Sequence, residues 1–223
     1  MSNESKMHTV PFTREWWENI WYYYKVAIVV GLIFIIAIAG VIVECANRVQ
    51  PDFALTYIGA PGHIDQIAAY GLEDKLSLTV KDINGDGKVA VKVDPVYFSP
   101  QNAAGPESME MADIEIAGGY ASVYIFDETC ADRYGNVGLN DMSALAQKYG
   151  LGDDKLIKNK EGEVYALSVE GNEYLASTEN INTKGLFIST RPLRPEERSD
   201  VQKAVHENAM QMAEYILSNG SLQ

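Results

Sequence analysis

The stretch Lys81-Asp82-Ile83-Asn84-Gly85-Asp86-Gly87-Lys88-Val89 sets three oxygen-bearing side chains at alternate positions of a glycine-rich segment. Calcium takes about six to eight hard oxygen ligands, and carboxylates or amides spaced in this way converge on one ion where a glycine permits a sharp turn. Asp82, Asn84 and Asp86 are the expected side-chain ligands, the backbone carbonyl of Lys88 is a fourth, and Gly87 supplies the turn. A polar turn rich in Asn, Asp and Gly would use the same residues without a metal. Three properly spaced ligands favour a structural calcium loop.

A second candidate site comes from two chain segments. The run 53–57 (FALTY) reads as a strand, and Ile58-Gly59-Ala60-Pro61-Gly62-His63 stops it sharply before apolar residues resume at helical spacing with Ile64, Ile67, Ala68 and Leu72. In α/β domains such a turn presents backbone N–H groups at a helix N-terminus, where an anion or ligand oxygen can be held. Residues 121–128 (ASVYIFDE) form an apolar strand that ends in two carboxylates, Asp127 and Glu128. A ligand cleft is therefore expected between Gly59, Gly62 and His63 on one side and Asp127 and Glu128 on the other.

Catalytic signatures are missing. There is no HExxH, no GxSxG and no Cys/His metal spacing. Cys130 with His206 as base is conceivable on paper, but nothing in the sequence places them together, and a disulfide between Cys45 and Cys130 is not expected. Asp127 and Glu128 could serve hydrolysis, cap a turn or give a metal a distant ligand. We expect a chain that is not an enzyme.

The calcium segment resembles the loops of EF-hand and dockerin-type modules over about nine residues. Those loops carry a Glu or Asp at the twelfth position, which here is Val93, with Asp94 one place late. Val89, Val91 and Val93 alternate with Ala90, Lys92 and Asp94, the pattern of a strand and not of an exit helix. A loop joining a helix to a strand is expected, its missing ligand coming from elsewhere in the fold or from water.

What must position these residues begins with residues 26–43 (VAIVVGLIFIIAIAGVIV), which hold no charge, amide or hydroxyl. As a helix this run covers about 27 Å, close to the hydrocarbon thickness of a bilayer. It is the expected contact with lipid. Lys6, Arg14 and Lys25 precede it while Arg48 alone follows before Lys75, so the positive-inside rule puts the N-terminus in the cytoplasm and the C-terminal domain outside. The Ala37-Ile38-Ala39 triplet suits signal peptidase, and Cys45 raises a lipid-modified cysteine, but an uncleaved anchor fits better. Residues 12–24 gather all three tryptophans and three of the thirteen tyrosines, as an interfacial helix would.

The formal charge of −13 belongs to the part beyond the span, because Lys6, Arg14 and Lys25 balance Glu4, Glu15 and Glu18 before it. Such a domain repels phosphate backbones, so nucleic acid is not an expected partner. Helical character at 107–117, strands at 163–169 and 185–190, and an amphipathic helix running from Glu196 towards Gly220 complete the pattern. The expected fold class is α/β, an N-terminal transmembrane helix followed by one three-layer domain with a mostly parallel sheet. Its divisions are a tail at 1–25, the span at 26–44, a linker at 45–51 and the domain at 52–223.

The helix before Gly118-Gly119, the strand ending in Asp127-Glu128 and the phrase Gly138-Leu139-Asn140-Asp141-Met142-Ser143-Ala144-Leu145 resemble the first lobe of type II extracytoplasmic solute-binding proteins. The whole chain is also similar to a group of Gram-positive, mainly clostridial, single-span proteins with a D-x-N-x-D-G loop. The resemblance implies a membrane-anchored binding or interaction domain for a small molecule or protein outside the cell. The alternatives are an assembly subunit of an envelope complex and an extracytoplasmic metal-assisted hydrolase. A concave pocket with convergent polar groups would favour binding, and a flat apolar surface would favour assembly.

Overall fold

The computed structural model describes residues 13–46, 51–97, 105–119, 121–135 and 137–221. The central residues of the expected linker and of the loop before Gly105 lie outside them, as does the Cys45 side chain. The chain divides into two compact units, Met1–Val49 and Gln50–Gln223. In the first, one helix, α1 (Arg14–Ala46), joins the aromatic stretch to the apolar run without a break. Its segment Ile20–Val43 is long and apolar enough to cross a membrane. At 1.5 Å per residue it reaches about 36 Å.

In the second unit β1 (Phe53–Gly59) is buried at every position, the mark of a strand covered on both faces. Then come α2 (Gln66–Ser77), β2 (Val91–Tyr97), α3 (Gly105–Gly118) and β3 (Val123–Asp127). After these follow α4 (Glu128–Tyr134), α5 (Ser143–Lys148), β4 (Leu156–Lys158), β5 (Val164–Ser168), α6 (Glu173–Ala176), β6 (Leu186–Thr190) and α7 (Asp200–Leu217). Six strands make one sheet in the order β2-β1-β3-β6-β5-β4. β1 pairs parallel with both β2 and β3, whereas β3–β6, β5–β6 and β4–β5 are antiparallel. Four of the six strands, β1, β2, β3 and β5, therefore point the same way, and β4, β5 and β6 form a meander.

The period-two alternation of the strands sorts the core into two layers. Phe53, Leu55 and Tyr57 of β1 and Val123 and Ile125 of β3 pack with Ala68, Leu72 and Leu76 of α2 and with Ala209, Met212 and Ile216 of α7. Ala54, Ile58, Tyr124 and Phe126 face the other way, against Ala112 and Ile116 of α3 and Cys130, Ala131 and Tyr134 of α4. The three-layer α/β architecture is as expected. The crossovers through α2 and α3 step to opposite sides of β1 on opposite faces, so both have one hand.

Several boundaries differ from the sequence pattern. Strand pairing of β2 begins at Val91, two residues after the valine alternation starts. α7 begins after Ser199, whose side chain and that of Gln202 form a reciprocal capping box; this outcompetes the acidic pair at 196–197 as a helix start. Ile67 faces solvent while Ala68 and Leu72 turn inward.

Asp52, fully buried just before β1, holds the loop that leads into β2. Its Oδ1 accepts from the backbone N–H of Ile83 (2.8 Å) and Asn84 (3.0 Å), and its Oδ2 from that of Ala90 (2.9 Å). The Asp52 N–H donates to Ala90 O at 2.8 Å, and its own carbonyl accepts from Asn208 of α7. Asp52→Ala leaves three amides without their acceptor, so urea unfolding should show a loss of about 2–3 kcal/mol. Asp86→Ala, on the exposed part of the loop, should cost under about 1 kcal/mol.

Candidate functional site

Reversal of strand order at β1 puts a topological switch point between β1 and β3, where open α/β sheets leave a crevice beyond the strand carboxyl ends. The expected ligand residues do meet there. Asp127, only 4 % exposed, accepts from the Ala60 N–H on Oδ2 (2.6 Å) and from Thr129 Oγ1 (2.7 Å) and the Cys130 N–H (2.8 Å) on Oδ1. The carboxylate caps α4 and ties it to the turn after β1. The two segments form a hydrogen-bonded junction in which the fold itself supplies three donors to Asp127.

The neighbours of this junction are built to the same end. Tyr57 donates its buried hydroxyl to Ala60 O (2.7 Å), and burial, with the Asp127 charge second, pushes that phenol far up. A Cβ on Gly59 would lie against the Tyr57 hydroxyl and 2.9 Å from Asp127 Cγ, so only glycine fits. Gly62 takes a left-handed φ of 123°, which glycine tolerates. His63 is bound to the 181–182 segment through its own carbonyl, which accepts from Asn182 N–H, and through Nδ1, 3.1 Å from Asn182 O. Glu128 is exposed, and its N–H donates to Gly185 O. The helix after the turn carries its own anion, because Asp65 caps α2 by accepting from Ala68 N–H (2.7 Å). That negative charge takes the place expected for an anionic ligand.

At the other end of β1, the candidate calcium loop is a chain of side-chain-capped turns. Asp82 accepts from the N–H of Gly85 (2.7 Å) and Gly87 (2.9 Å), Asn84 from Asp86 (2.8 Å), and Asp86 from Lys88 (2.9 Å). Asp82, Asp86 and Lys88 are exposed and Asn84 half-buried. The loop thus offers two carboxylates, an amide and the Lys88 carbonyl, oxygen donors of the kind calcium takes. Among the described residues, no group of three or more His, Cys, Asp or Glu side chains could hold a metal. Asp127 and Glu128 cannot supply this loop with a distant ligand, since β1 separates them.

The Cys130–His206 pair is ruled out by position. Cys130 follows β3, whereas His206 Nδ1 lies 3.2 Å from Ser122 Oγ, just before β3. Burial, with Asp127 second, pushes the Cys130 thiol far up, and burial followed by Arg191 pulls His206 down.

One concavity among the described residues is one that sequence reasoning missed. About 660 Å³ opens at the amino end of β3, between the last turns of α3 and α4 and the segment after β6. Ile116, Tyr134, Leu139 and Pro192 line it together with Arg133 and Arg194. Arg191, buried beside it, holds Glu197 bidentately (2.7 and 2.8 Å) and donates through Nε to Ala121 O. Arg194 donates to Ile116 O and Gly119 O, both at 2.8 Å, and so caps the C-terminus of α3 with a cation. A cavity of about 240 Å³ shares Arg194 and Glu196 and reaches Ser122 and His206. An arginine between apolar residues and prolines, as in Ser189-Thr190-Arg191-Pro192-Leu193-Arg194-Pro195, was the available signal.

Comparison of the chain with protein-family models, with curated proteins and with solved structures returns no match.

Hydrogen bonds from Arg191, and then the Arg194 N–H, lower Glu197 from 4.5 to about 2. A carboxyl depressed in the folded state stabilises fully above its unfolded pKa and loses that contribution as pH falls through the folded value. Thermal melts should therefore show the Glu197 contribution intact above about pH 4.5 and lost towards pH 2. Glu197→Gln should lower Tm at pH 7 and flatten the decline across that acid window.

Proposed function

We propose that this chain is an uncleaved single-span membrane protein whose α/β domain lies outside the cytoplasm and acts as a binding module, without catalysis. The observation that carries the binding reading is the cavity of about 660 Å³ with polar groups converging on an apolar wall, the kind and size of concavity that small ligands occupy. The anchor reading is supported by Ile20–Val43 and by the excess of basic residues before the span. The solute-binding-like resemblance is supported by α3 leading into β3 and by the Asp127 carboxylate at its end.

A second reading, an assembly subunit of an envelope complex, draws on one observation. Met111 and Ile114 are exposed on α3 beside a shallow apolar depression lined by Met109 and Ala117. Metal-assisted hydrolysis has less support, because the carboxylate at the strand end already accepts three hydrogen bonds and the candidate calcium loop adjoins the other end of β1.

Two experiments test this account. With an epitope at each end of the full chain, protease added to intact cells should remove the C-terminal tag and spare the N-terminal one. The N-terminal tag should stay on the full-length membrane species, whereas a cleaved leader would separate it. The calcium loop, at the millimolar affinity typical of extracellular modules, should raise Tm on titration with calcium and less with magnesium. That rise should vanish in Asp82→Ala, and a Tm unmoved by millimolar calcium would make the loop a plain turn.

A further inference from the structure

We infer that the cavity between the last turns of α3 and α4 is the middle of a longer groove that docks an extended peptide segment of a partner protein. The segment has an apolar centre and Lys or Arg at its flanks. This rests on the binding-module reading and names the ligand of that site. The cavity shares Asp113 and Ala117 with the shallow depression along α3. It shares Gly138 and Leu139 with a third concavity, of about 530 Å³, that reaches the turn between β4 and β5. Three adjoining hollows give more room than one small ligand fills. An extended chain suits that shape, since it lays successive side chains into successive pockets.

The middle of the groove is apolar. Ile116, Leu139 and Pro192 line it, and Ile114 and Val137 are large side chains left 61 and 46 % exposed along it. An exposed apolar patch with a polar rim marks a surface that a partner covers. The rim is acidic. Arg133 is held by Asp113 and Arg191 by Glu197, so those pairs cancel. What remains of the lining is Glu110, Glu196, Asp141, Glu161 and Glu163 against Arg194 and Lys160. Arg194 already donates to two carbonyls at the end of α3. Among the described residues none of the five carboxylates makes an ion pair. Glu110 lies in the depression along α3, whereas Asp141, Glu161 and Glu163 lie in the hollow at the other end. Cations on both flanks of a bound segment meet them there. The same excess of negative charge disfavours anionic lipid and a second copy of this chain, whose own net charge is −13.

The test is a selection of random decapeptides displayed on phage, against the full chain in phosphatidylcholine nanodiscs, with empty nanodiscs as counter-selection. Enriched peptides, resynthesised and followed by fluorescence anisotropy, should carry apolar residues between flanking Lys or Arg. Ala117→Trp, at the exposed position shared by two of the hollows, should abolish binding. Ile114→Ser should weaken it about 5-fold, and neither substitution, both being at the surface, should move Tm. Glu110→Gln and Glu196→Gln should each weaken it about 2- to 5-fold, the worth of an exposed ion pair. An analogue that keeps the basic residues but has serine in place of the apolar centre should bind at least about 10-fold less tightly.

Enriched peptides that are uncharged or acidic, yet lost with Ala117→Trp, would overturn the ligand class. Equal binding of the serine analogue would reduce the effect to bulk charge, and binding indifferent to Ala117→Trp would place it elsewhere; either result overturns the groove. If no peptide is enriched, the peptide proposal falls. A fluorine-NMR screen of uncharged aromatic fragments at about 10 mM, on the same chain and on Ala117→Trp, then separates that failure from failure of the binding-module reading. Fragments lost with the substitution would keep a binding module, and no bound fragment would remove it as well.

Discussion

Two buried carboxylates, each accepting three hydrogen bonds from its own chain, hold the ends of the parallel half of the sheet. A desolvated carboxylate is costly unless donors replace the water it gives up. Asp52 recovers them from the amides of Ile83, Asn84 and Ala90, and Asp127 from Ala60, Cys130 and the Thr129 hydroxyl. β1 lies between them. Its entry is fixed to the loop that leads into β2, its exit to the helix that leaves β3, and the glycine at position 59 lets the exit close against Tyr57 and Asp127.

This constraint decides where the domain has room for anything else. Fold topology alone would point to the switch point beyond β1 and β3, but there the carboxylate and the turn are joined to each other. The described cavities that share Arg194 lie at the opposite end of β3, where the segment after β6 brings Arg191 and Arg194 under the last turn of α3. Those two arginines do structural duty through Glu197 and the α3 carbonyls.

The helices and strands with sustained patterns were legible in the sequence. The apolar run of α1, the strands β1, β3, β5 and β6, and the amphipathic α3 and α7 all appear within a few residues of their expected places. β4 has three residues and α6 four, too few for a period to declare itself. The antiparallel meander was hidden because strand direction leaves no mark on a short buried run. Asp127 did carry a local sign, its spacing before Cys130 being that of an N-cap. Whether a strand-end carboxylate turns to its own helix or to a ligand depends on Ala60, 67 residues away. Asp52 and the Arg191–Glu197 pair were missed for the same reason: their partners are set by tertiary placement or by a turn that no periodicity describes.

The most direct measurement is native-state hydrogen exchange of the Ala60 and Cys130 amides, followed by NMR. If Asp127 is the closed junction described here, both should exchange only through openings close to global unfolding, and both should lose that protection together in Asp127→Ala. Exchange of the Ala60 amide at the rate of an exposed turn would contradict the account. The crevice beyond β1 and β3 would then be open, and the search for a ligand would return there.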